Sequence, residues 1–235
     1  MTYALDHLVI AVNDLDRASA DYRALGFTVL TGGIHANGAT HNALIVFEDG
    51  TYIELLALTG QPPIPGLIDF SILNQGGEGL VGYALGTDRL DADAARLRAA
   101  GVAIGEVVAG ERRRPDGTLL QWQLTRIEPD GHTHGFAPFL IQDVTPRGLR
   151  VPQDAASVTH ANRAVGIERL EILVRSVDDG LARLRLILGA PLTPKLIRLA
   201  VGSIALMMPP SETDGEQVAQ TPDVLYRMVL AYKRD

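Results

Sequence analysis

The sequence predicts an α+β fold built from two βαβββ modules, at residues 1–60 and 76–147, and a third, partial βαββ module within residues 163–235. Three observations carry this prediction. The first sixty residues run strand, helix, strand, strand, strand when apolar periodicity and turn residues are followed along the chain. The same order recurs at a shift of 75 residues, which sets Ala24-Leu25-Gly26 on Ala99-Ala100-Gly101 without a gap. A shorter echo begins at Gly166, so each unit is expected to bury a face against its neighbour.

The first module opens with a nearly continuous aliphatic run, which is typical of a strand covered on both faces. Asn13 or Asp14 is suited to cap the helix that follows, and Gly26 is suited to end it. Residues 32–40 have the composition of a loop, and residues 48–50 that of a hairpin turn. The predicted elements are a strand at 5–12, a helix that ends at Gly26, and strands at 27–30, 41–47 and 51–58.

The second and third modules are predicted by the same reasoning. Gly101 and Gly189 end their helices, and the charged residues 111–117 predict a turn. The final segment is polar at first and apolar from 224 to 232, which suits either a last strand or a packed tail. The predicted elements are strand 79–85, helix 90–100, strands 102–108, 118–127 and 137–144, strand 166–174, helix 177–188, and two strands within 196–208.

Composition excludes several classes of function. The chain has 235 residues, 46% hydrophobic and 21% charged, as in ordinary globular proteins. A net charge of −7 argues against a nucleic-acid or anionic-membrane partner. The absence of cysteine excludes disulfides, thiolate metal sites and a cysteine nucleophile. No apolar run has the length of a signal or a membrane span, so the cytoplasm is the expected compartment.

Two polar residues stand inside apolar strands, His7 in the first and Glu54 in the fourth. Burying an imidazole and a carboxylate costs free energy unless each finds a partner. One interpretation is structural, with His7 hydrogen-bonded to the backbone or to Glu54, or Glu54 paired with an arginine. The other is a shared divalent metal, since both groups are ligands for zinc and its neighbours. The pair together favours function, because a buried charged pair seldom stabilises a fold more than an apolar pair does.

A resemblance to a known family rests on the strand sequences Leu5-Asp6-His7-Leu8-Val9-Ile10-Ala11-Val12 and Tyr52-Ile53-Glu54-Leu55-Leu56. Within repeated βαβββ units they resemble the vicinal oxygen chelate superfamily, most closely its glyoxalase-like branch. The resemblance implies the glyoxalase/bleomycin resistance/dioxygenase fold, in which the curved sheets of two modules form an open cleft. It also implies a divalent ion (Zn, Ni, Mn or Fe) held by first- and fourth-strand residues of both modules. Such an ion polarises adjacent oxygens of a small substrate.

Carried over residue by residue, the resemblance assigns His7 and Glu54 as metal ligands. The 75-residue shift makes Gly82, which has no side-chain donor, the counterpart of His7. Gln142 is the expected counterpart of Glu54 and a neutral ligand. Glu54 or Gln142 is also the expected group at the reacting centre, where a carboxylate would move a proton next to a metal-bound carbonyl.

A metal would need a further ligand, and the candidates are His41 and the turn that holds His132 and His134. By two-residue alternation, His41 shares a strand face with Ala43 and Ile45. Elsewhere, the tripeptide at residues 35–37 recurs at residues 160–162, either as a loop-capping device or by chance. The three arginines at residues 112–114 either clamp a carboxylate substrate or form a charged turn.

Two classes of function therefore stay open. One is a metal-dependent enzyme of lyase or isomerase type that acts on a small oxygenated molecule, with an extradiol-type dioxygenase as a variant on the same fold. The other is a metal-free protein that sequesters a small molecule, as in bleomycin resistance, and the glycine at position 82 favours it. In either case the expected partner is a small molecule. The third module would cover one side of the pair or form a homodimer contact.

Overall fold

The computed structural model describes residues 3–36, 38–62, 68, 70–74, 76–114, 116–128, 136–189, 196–208 and 224–233. Its elements in chain order are β1 (Ala4–Ala11), α1 (Leu15–Ala24), β2 (Leu30–Ile34), β3 (Thr40–Val46), β4 (Tyr52–Leu58), α2 (Ser71–Asn74), β5 (Gly79–Gly86), α3 (Leu90–Ala99), β6 (Val108–Arg113), β7 (Leu119–Arg126), β8 (Phe139–Asp143), α4 (Arg147–Arg150), α5 (Ala155–Val158), β9 (Ala164–Leu173), α6 (Val177–Leu188), β10 (Leu196–Arg198), β11 (Ser203–Met207) and β12 (Val224–Tyr232). In these ranges no helix combines the length and the hydropathy needed to cross a membrane.

Eight strands form one mixed sheet in the order β2-β3-β4-β1-β5-β8-β7-β6. β1 and β5 pair antiparallel at its centre, and each is parallel to the last strand of its own half, β4 or β8. The first half of the sheet is β1 to β4 and the second half is β5 to β8. The predicted α+β class is confirmed, whereas the module boundaries at 1–60, 76–147 and 163–235 stay a prediction.

The register between β1 and β5 reproduces the 75-residue shift found in the sequence. His7 pairs with Ala84, and Val9 pairs with Gly82. Moved along the chain by 75 positions, His7 and Val9 become Gly82 and Ala84, so each pair is the image of the other. The two halves are therefore related by an approximate two-fold rotation, and Gly82 occupies the position equivalent to His7.

The sheet curls until its two edge strands meet. His35, which follows β2, forms an antiparallel bridge with Arg112 of β6. The backbone N–H of Ala36 donates to the carbonyl of Glu111 at 3.1 Å. Because β2 and β6 belong to opposite halves, their contact encloses the space between the halves.

These two edge strands are also where the structure differs from the sequence prediction. The predicted loop at 32–40 begins within β2, and the predicted turn at 111–117 begins within β6. Gly32 explains the first difference, because a Cβ there would lie 1.9 Å from Oδ1 of Asn42. Glycine here admits a close side chain from the neighbouring strand, which composition alone does not distinguish from a loop.

The remaining strands form a second sheet in the order β10-β11-β9-β12. β9 is parallel to β11 and antiparallel to β12, the relationship that β1 has to β4 and β5. The apolar segment at 224–232 is thus a final strand rather than a packed tail. A single core, which includes Leu8, Ile53, Tyr83, Leu170 and Leu184, joins both sheets on one side of β1.

Candidate functional site

A cavity of about 260 Å³ lies between the two halves of the large sheet. Its wall is mostly apolar and includes Val9, Leu56, Phe70, Leu124 and Ile141. A small molecule with an apolar body and one polar end suits such a lining. The ionisable and amide side chains that line the cavity include His7, His35, Asn42, Glu54, Arg112 and Arg150.

Strand alternation decides which predicted residues reach the cavity. His7 of β1 and Glu54 of β4 face it, as predicted for a shared site. On β3, Asn42 faces the cavity, so its neighbour His41 points to the other side of the strand. Ala43, on the same face as His41, belongs to the core on the helix side. The structure therefore does not bring His41 to Glu54, although the face it shares with Ala43 is the predicted one.

Glu54 is the centre of the polar cluster, and the residue is 8% exposed. Its Oε1 accepts a hydrogen bond from Nδ2 of Asn42 at 2.6 Å and lies 3.7 Å from Nε2 of His35. Its Oε2 lies 3.6 Å from Nε2 of His7. Two imidazoles and one amide thus surround a single buried carboxylate.

The orientation of His7 is set by its neighbour in the chain. Nδ1 of His7 lies 2.7 Å from Oδ1 of Asp6. An ionised carboxylate can only accept, so Nδ1 carries the hydrogen and Nε2 is directed at Glu54. The ring of Tyr52 stacks on the imidazole at 4.4 Å between centroids and 15° between planes. His7 is therefore held by hydrogen bonding at one edge and by stacking on one face.

Asp6 itself is anchored by a buried guanidinium. Arg150 donates to Asp6 from both terminal nitrogens at 3.0 and 3.1 Å, and to Asp143 at 2.6 and 2.9 Å. It also donates to the Tyr52 hydroxyl at 2.7 Å. Burial raises the pKa of Asp6, but Arg150 and the hydrogen bond from His7 outweigh it and hold that pKa well below its ordinary value.

His35 joins the site from the loop after β2. Its Nδ1 lies 2.8 Å from the hydroxyl of Thr40. Burial lowers the pKa of His35 and outweighs Glu54, which acts in the opposite direction. The lowered pKa favours the neutral imidazole.

The second copy of the tripeptide, at residues 160–162, has a different role. His160 accepts a hydrogen bond from the N–H of Thr28 at 2.9 Å and contacts the carbonyl of Val46 at 3.0 Å, which fastens loops outside the cavity.

Gln142 lies away from the cluster. β1 pairs Val9 with Glu54, and β5 pairs Ala84 with Phe139, so the register gives Phe139 as the equivalent of Glu54. Gln142 instead accepts a hydrogen bond from the N–H of Leu90 at 2.7 Å, at the first residue of α3. The 75-residue shift does not extend to β8, because the chain between β7 and β8 is longer than the chain between β3 and β4. His132 and His134 lie outside the described residues.

The residues present do not fit the ligand set that the family resemblance implies. The second half of the sheet offers Gly82 and Phe139 at the two equivalent positions, and neither side chain can ligate. In the first half, the amide of Asn42 already donates to Glu54. Within the part of the chain that the structure describes, no three His, Asp or Glu side chains are placed to hold a metal ion.

Sequence reasoning missed Asp6, Asn42 and Arg150 and gave His35 no site role. Asp6 stands within the quoted first-strand motif and Asn42 within the predicted strand at 41–47, but each is adjacent to a histidine, which is the more familiar metal ligand. Arg150 is separated from Asp6 by 144 positions, and only the folded chain brings them together.

Comparison with known proteins gives one family match and several similar solved structures. Residues 5–187 match the model of a family described as a glyoxalase-like domain. No curated protein matches the chain. Among solved structures, a hypothetical protein from Staphylococcus aureus is 18% identical over 88% of this chain and 86% of that chain, with a TM-score of 0.71, a likeness of fold.

Two further structures are similar over a smaller part of the chain. Methylmalonyl-CoA epimerase from Mycobacterium tuberculosis is 26% identical over 60% of this chain and 88% of that chain, with a TM-score of 0.46. The Streptomyces coelicolor methylmalonyl-CoA epimerase in complex with 2-nitronate-propionyl-CoA is 27% identical over 62% of this chain and 100% of that chain, with a TM-score of 0.45.

Proposed function

The chain belongs to the glyoxalase-like domain family of the vicinal oxygen chelate superfamily, and on that premise we propose that it is an enzyme of lyase or isomerase type. It moves a proton within a small oxygenated molecule held in the cavity. One observation carries the proposal: Glu54 and Nε2 of His7 face each other at 3.6 Å in a largely apolar enclosure, while Asp6 holds the other edge of the imidazole.

The proposed chemistry needs two proton-accepting groups at adjacent positions. The Glu54 carboxylate removes a proton from the carbon next to a substrate carbonyl, and the electron pair of that C–H bond moves to form an enolate. A proton then returns to the neighbouring carbon or oxygen from Glu54 or through the imidazole of His7. Because burial strengthens electrostatic interactions, the amide N–H of Asn42 stabilises the Glu54 carboxylate more here than it would in water.

Proton exchange with solvent tests this proposal without knowledge of the natural substrate. The protein is incubated in D₂O with a panel of short-chain 2-hydroxy acids, 2-oxo acids and 2-hydroxy aldehydes, and NMR follows the loss of each C–H signal. We expect catalysed exchange for at least one member, and loss of exchange in Glu54→Gln and His7→Gln. His41→Gln is the matched control, because it is the same substitution at a histidine of β3 that points away from the cavity.

Two results would count against the enzyme. The first is exchange no faster than in buffer for the whole panel, and the second is exchange that survives Glu54→Gln. Either would favour the second candidate, a metal-free protein that sequesters a small molecule. The observation that favours this alternative is the pair Gly82 and Phe139, which leaves the second half of the sheet without a polar side chain at the two positions equivalent to His7 and Glu54.

A further inference from the structure

The guanidinium of Arg112 stands out in the cavity wall. Arg112 lies on β6 and is 4% exposed. Among the residues that the structure describes, its guanidinium makes one hydrogen bond to protein, from a terminal nitrogen to the carbonyl of Gly32. Within the described residues, no carboxylate lies within ion-pair distance of this guanidinium, unlike the other buried arginine of the cavity, Arg150.

The contrast with Arg150 shows what a satisfied arginine looks like in this cavity. Arg150 is equally buried but donates to two carboxylates and to the Tyr52 hydroxyl. Arg150 and Arg147 form a network with the carboxylates of Asp6 and Asp143, in which two positive charges balance two negative ones. Within the described part of the chain, Arg112 has no such network.

The remaining N–H groups of Arg112 are available to a ligand. In the described residues, two fully buried side-chain atoms lack a hydrogen-bond partner, Oδ1 of Asn42 and Nε of Arg96. No atom of Arg112 is among them. These N–H groups have no protein acceptor there either, so they retain contact with the cavity that the side chain lines. A buried cation without a partner costs free energy that an anion entering the cavity would recover.

The negative charge of Glu54 does not meet this need. Glu54 acts on Arg112 at a distance, and Oε1 of Glu54 already accepts a hydrogen bond from Asn42. Burial also lowers the pKa of Arg112, the direction expected of a cation that lacks a close counter-ion.

We propose that the cavity binds a small monocarboxylate, with the carboxylate group on Arg112 and the apolar body against Leu124 and Ile141. This inference rests on the proposed function for its site and names the class of substrate. A guanidinium offers a planar fork that matches a carboxylate with two parallel hydrogen bonds. A single uncompensated cation suits a single negative charge, and Glu54 in the same cavity disfavours a doubly charged group such as a phosphate.

Matched neutral and anionic probes test the assignment. Phenylacetate and hexanoate are titrated beside phenylacetamide and hexanamide, which have the same shape without the charge. The single tryptophan, Trp122, lines the cavity, so its fluorescence reports occupancy, and calorimetry gives the affinity. We expect each acid to bind at least about tenfold more tightly than its amide, since hydrogen bonds to charged groups are the stronger ones.

Variants of adjacent arginines identify the group responsible. Arg112→Met should abolish the preference for the acid, and Arg112→Lys should retain part of it, because lysine keeps the charge but loses the fork. Arg113→Met removes the same charge from the next, exposed position and should leave the preference intact. Circular dichroism establishes that Arg112→Met is folded, and if it is not, the comparison of Arg112→Lys with Arg113→Lys decides.

The outcome is separable from that of the proposed enzyme. Glu54→Gln should abolish proton exchange but keep or tighten binding of the acids, because it removes a negative charge from the cavity. Three results would overturn the assignment: no saturable binding of either acid, amides that bind as tightly as acids, or an acid preference that survives Arg112→Met. Binding of the acids without any exchange would leave the assignment standing and overturn only the enzyme.

Discussion

Asp6 and His7 are adjacent in β1, yet Oδ1 of Asp6 and Nδ1 of His7 lie 2.7 Å apart. Side chains next to each other along a strand normally point to opposite faces. Here the register between β1 and β5 shifts between Leu5 and His7, next to Asp6. The contact links the cavity to the buried network around Arg150.

Replacement of Asp6 should change the tautomer of His7. In Asp6→Asn, the neutral amide no longer requires a hydrogen on Nδ1, so a fraction of the imidazole should carry it on Nε2 instead. Nitrogen-15 shifts of the His7 ring measure this directly, and proton exchange on the panel should fall with it. An unchanged ring spectrum beside reduced exchange would contradict a role for Asp6 in positioning His7.

The same variant should lose stability in a pH-dependent manner. Breaking a buried pair leaves Arg150 partly unpaired and costs about 3 kcal/mol. Since the pKa of Asp6 is depressed in the folded state, its contribution is full above the unfolded pKa, about 3.9, and is lost as pH falls through the folded value.

Urea unfolding of the parent and of Asp6→Asn across the acid range measures this loss. The difference between the two free energies of unfolding should be constant above about pH 5 and shrink by about 1.4 kcal/mol per pH unit below the unfolded pKa. A difference that stays constant into strong acid would show that Asp6 stabilises the fold by packing and not by its charge.

A methyl group at position 32 should disturb the polar cluster. In Gly32→Ala the new Cβ would lie 1.9 Å from Oδ1 of Asn42 and 2.7 Å from its carbonyl oxygen. Asn42 must then move away from Glu54, so we expect a loss of about 1–3 kcal/mol in stability together with weaker ligand binding. Gly148→Ala is the control, since an added Cβ there meets no atom within 4 Å. Equal stability of the two variants would contradict the close approach.

Gln142 provides a test of helix capping against ligation. Gln142→Ala removes the acceptor for the N–H of Leu90 and should destabilise the protein by about 1 kcal/mol, as other lost helix caps do. Affinity for phenylacetate and proton exchange should stay at the parental level. Loss of either with stability unchanged would return Gln142 to the site.

Metal loading tests the disagreement between the family resemblance and the second half of the sheet. After exposure to Zn, Ni, Mn or Fe(II) and removal of the excess, elemental analysis should find well below one ion per chain, because Gly82 and Phe139 supply no ligands. A stoichiometric ion that is lost in both His7→Ala and Glu54→Ala would contradict this prediction and restore a metal-dependent enzyme.

Much of the fold could be predicted because it is encoded locally. Apolar periodicity, capping residues and the glycines that end helices depend on neighbours a few positions away, so β1, α1, α3 and α6 agree closely with the predicted elements. The 75-residue repeat predicts that β1 and β5 are equivalent strands, and the register between them agrees. The two edge strands were predicted too early in the chain, at 27–30 and 102–108, because glycine and charge within β2 and β6 have the composition of loops.

By itself the sequence determined that His7 and Glu54 would be buried together, since a polar residue in an apolar strand must find a partner. Only the tertiary structure decided who the partners are. Strand register and chain reversal bring four further residues to the site, Asp6, His35, Asn42 and Arg150. The same geometry directs His41 and Gln142 away from it. Register is set by pairing between distant segments, and a shift of one residue sends a side chain to the opposite face.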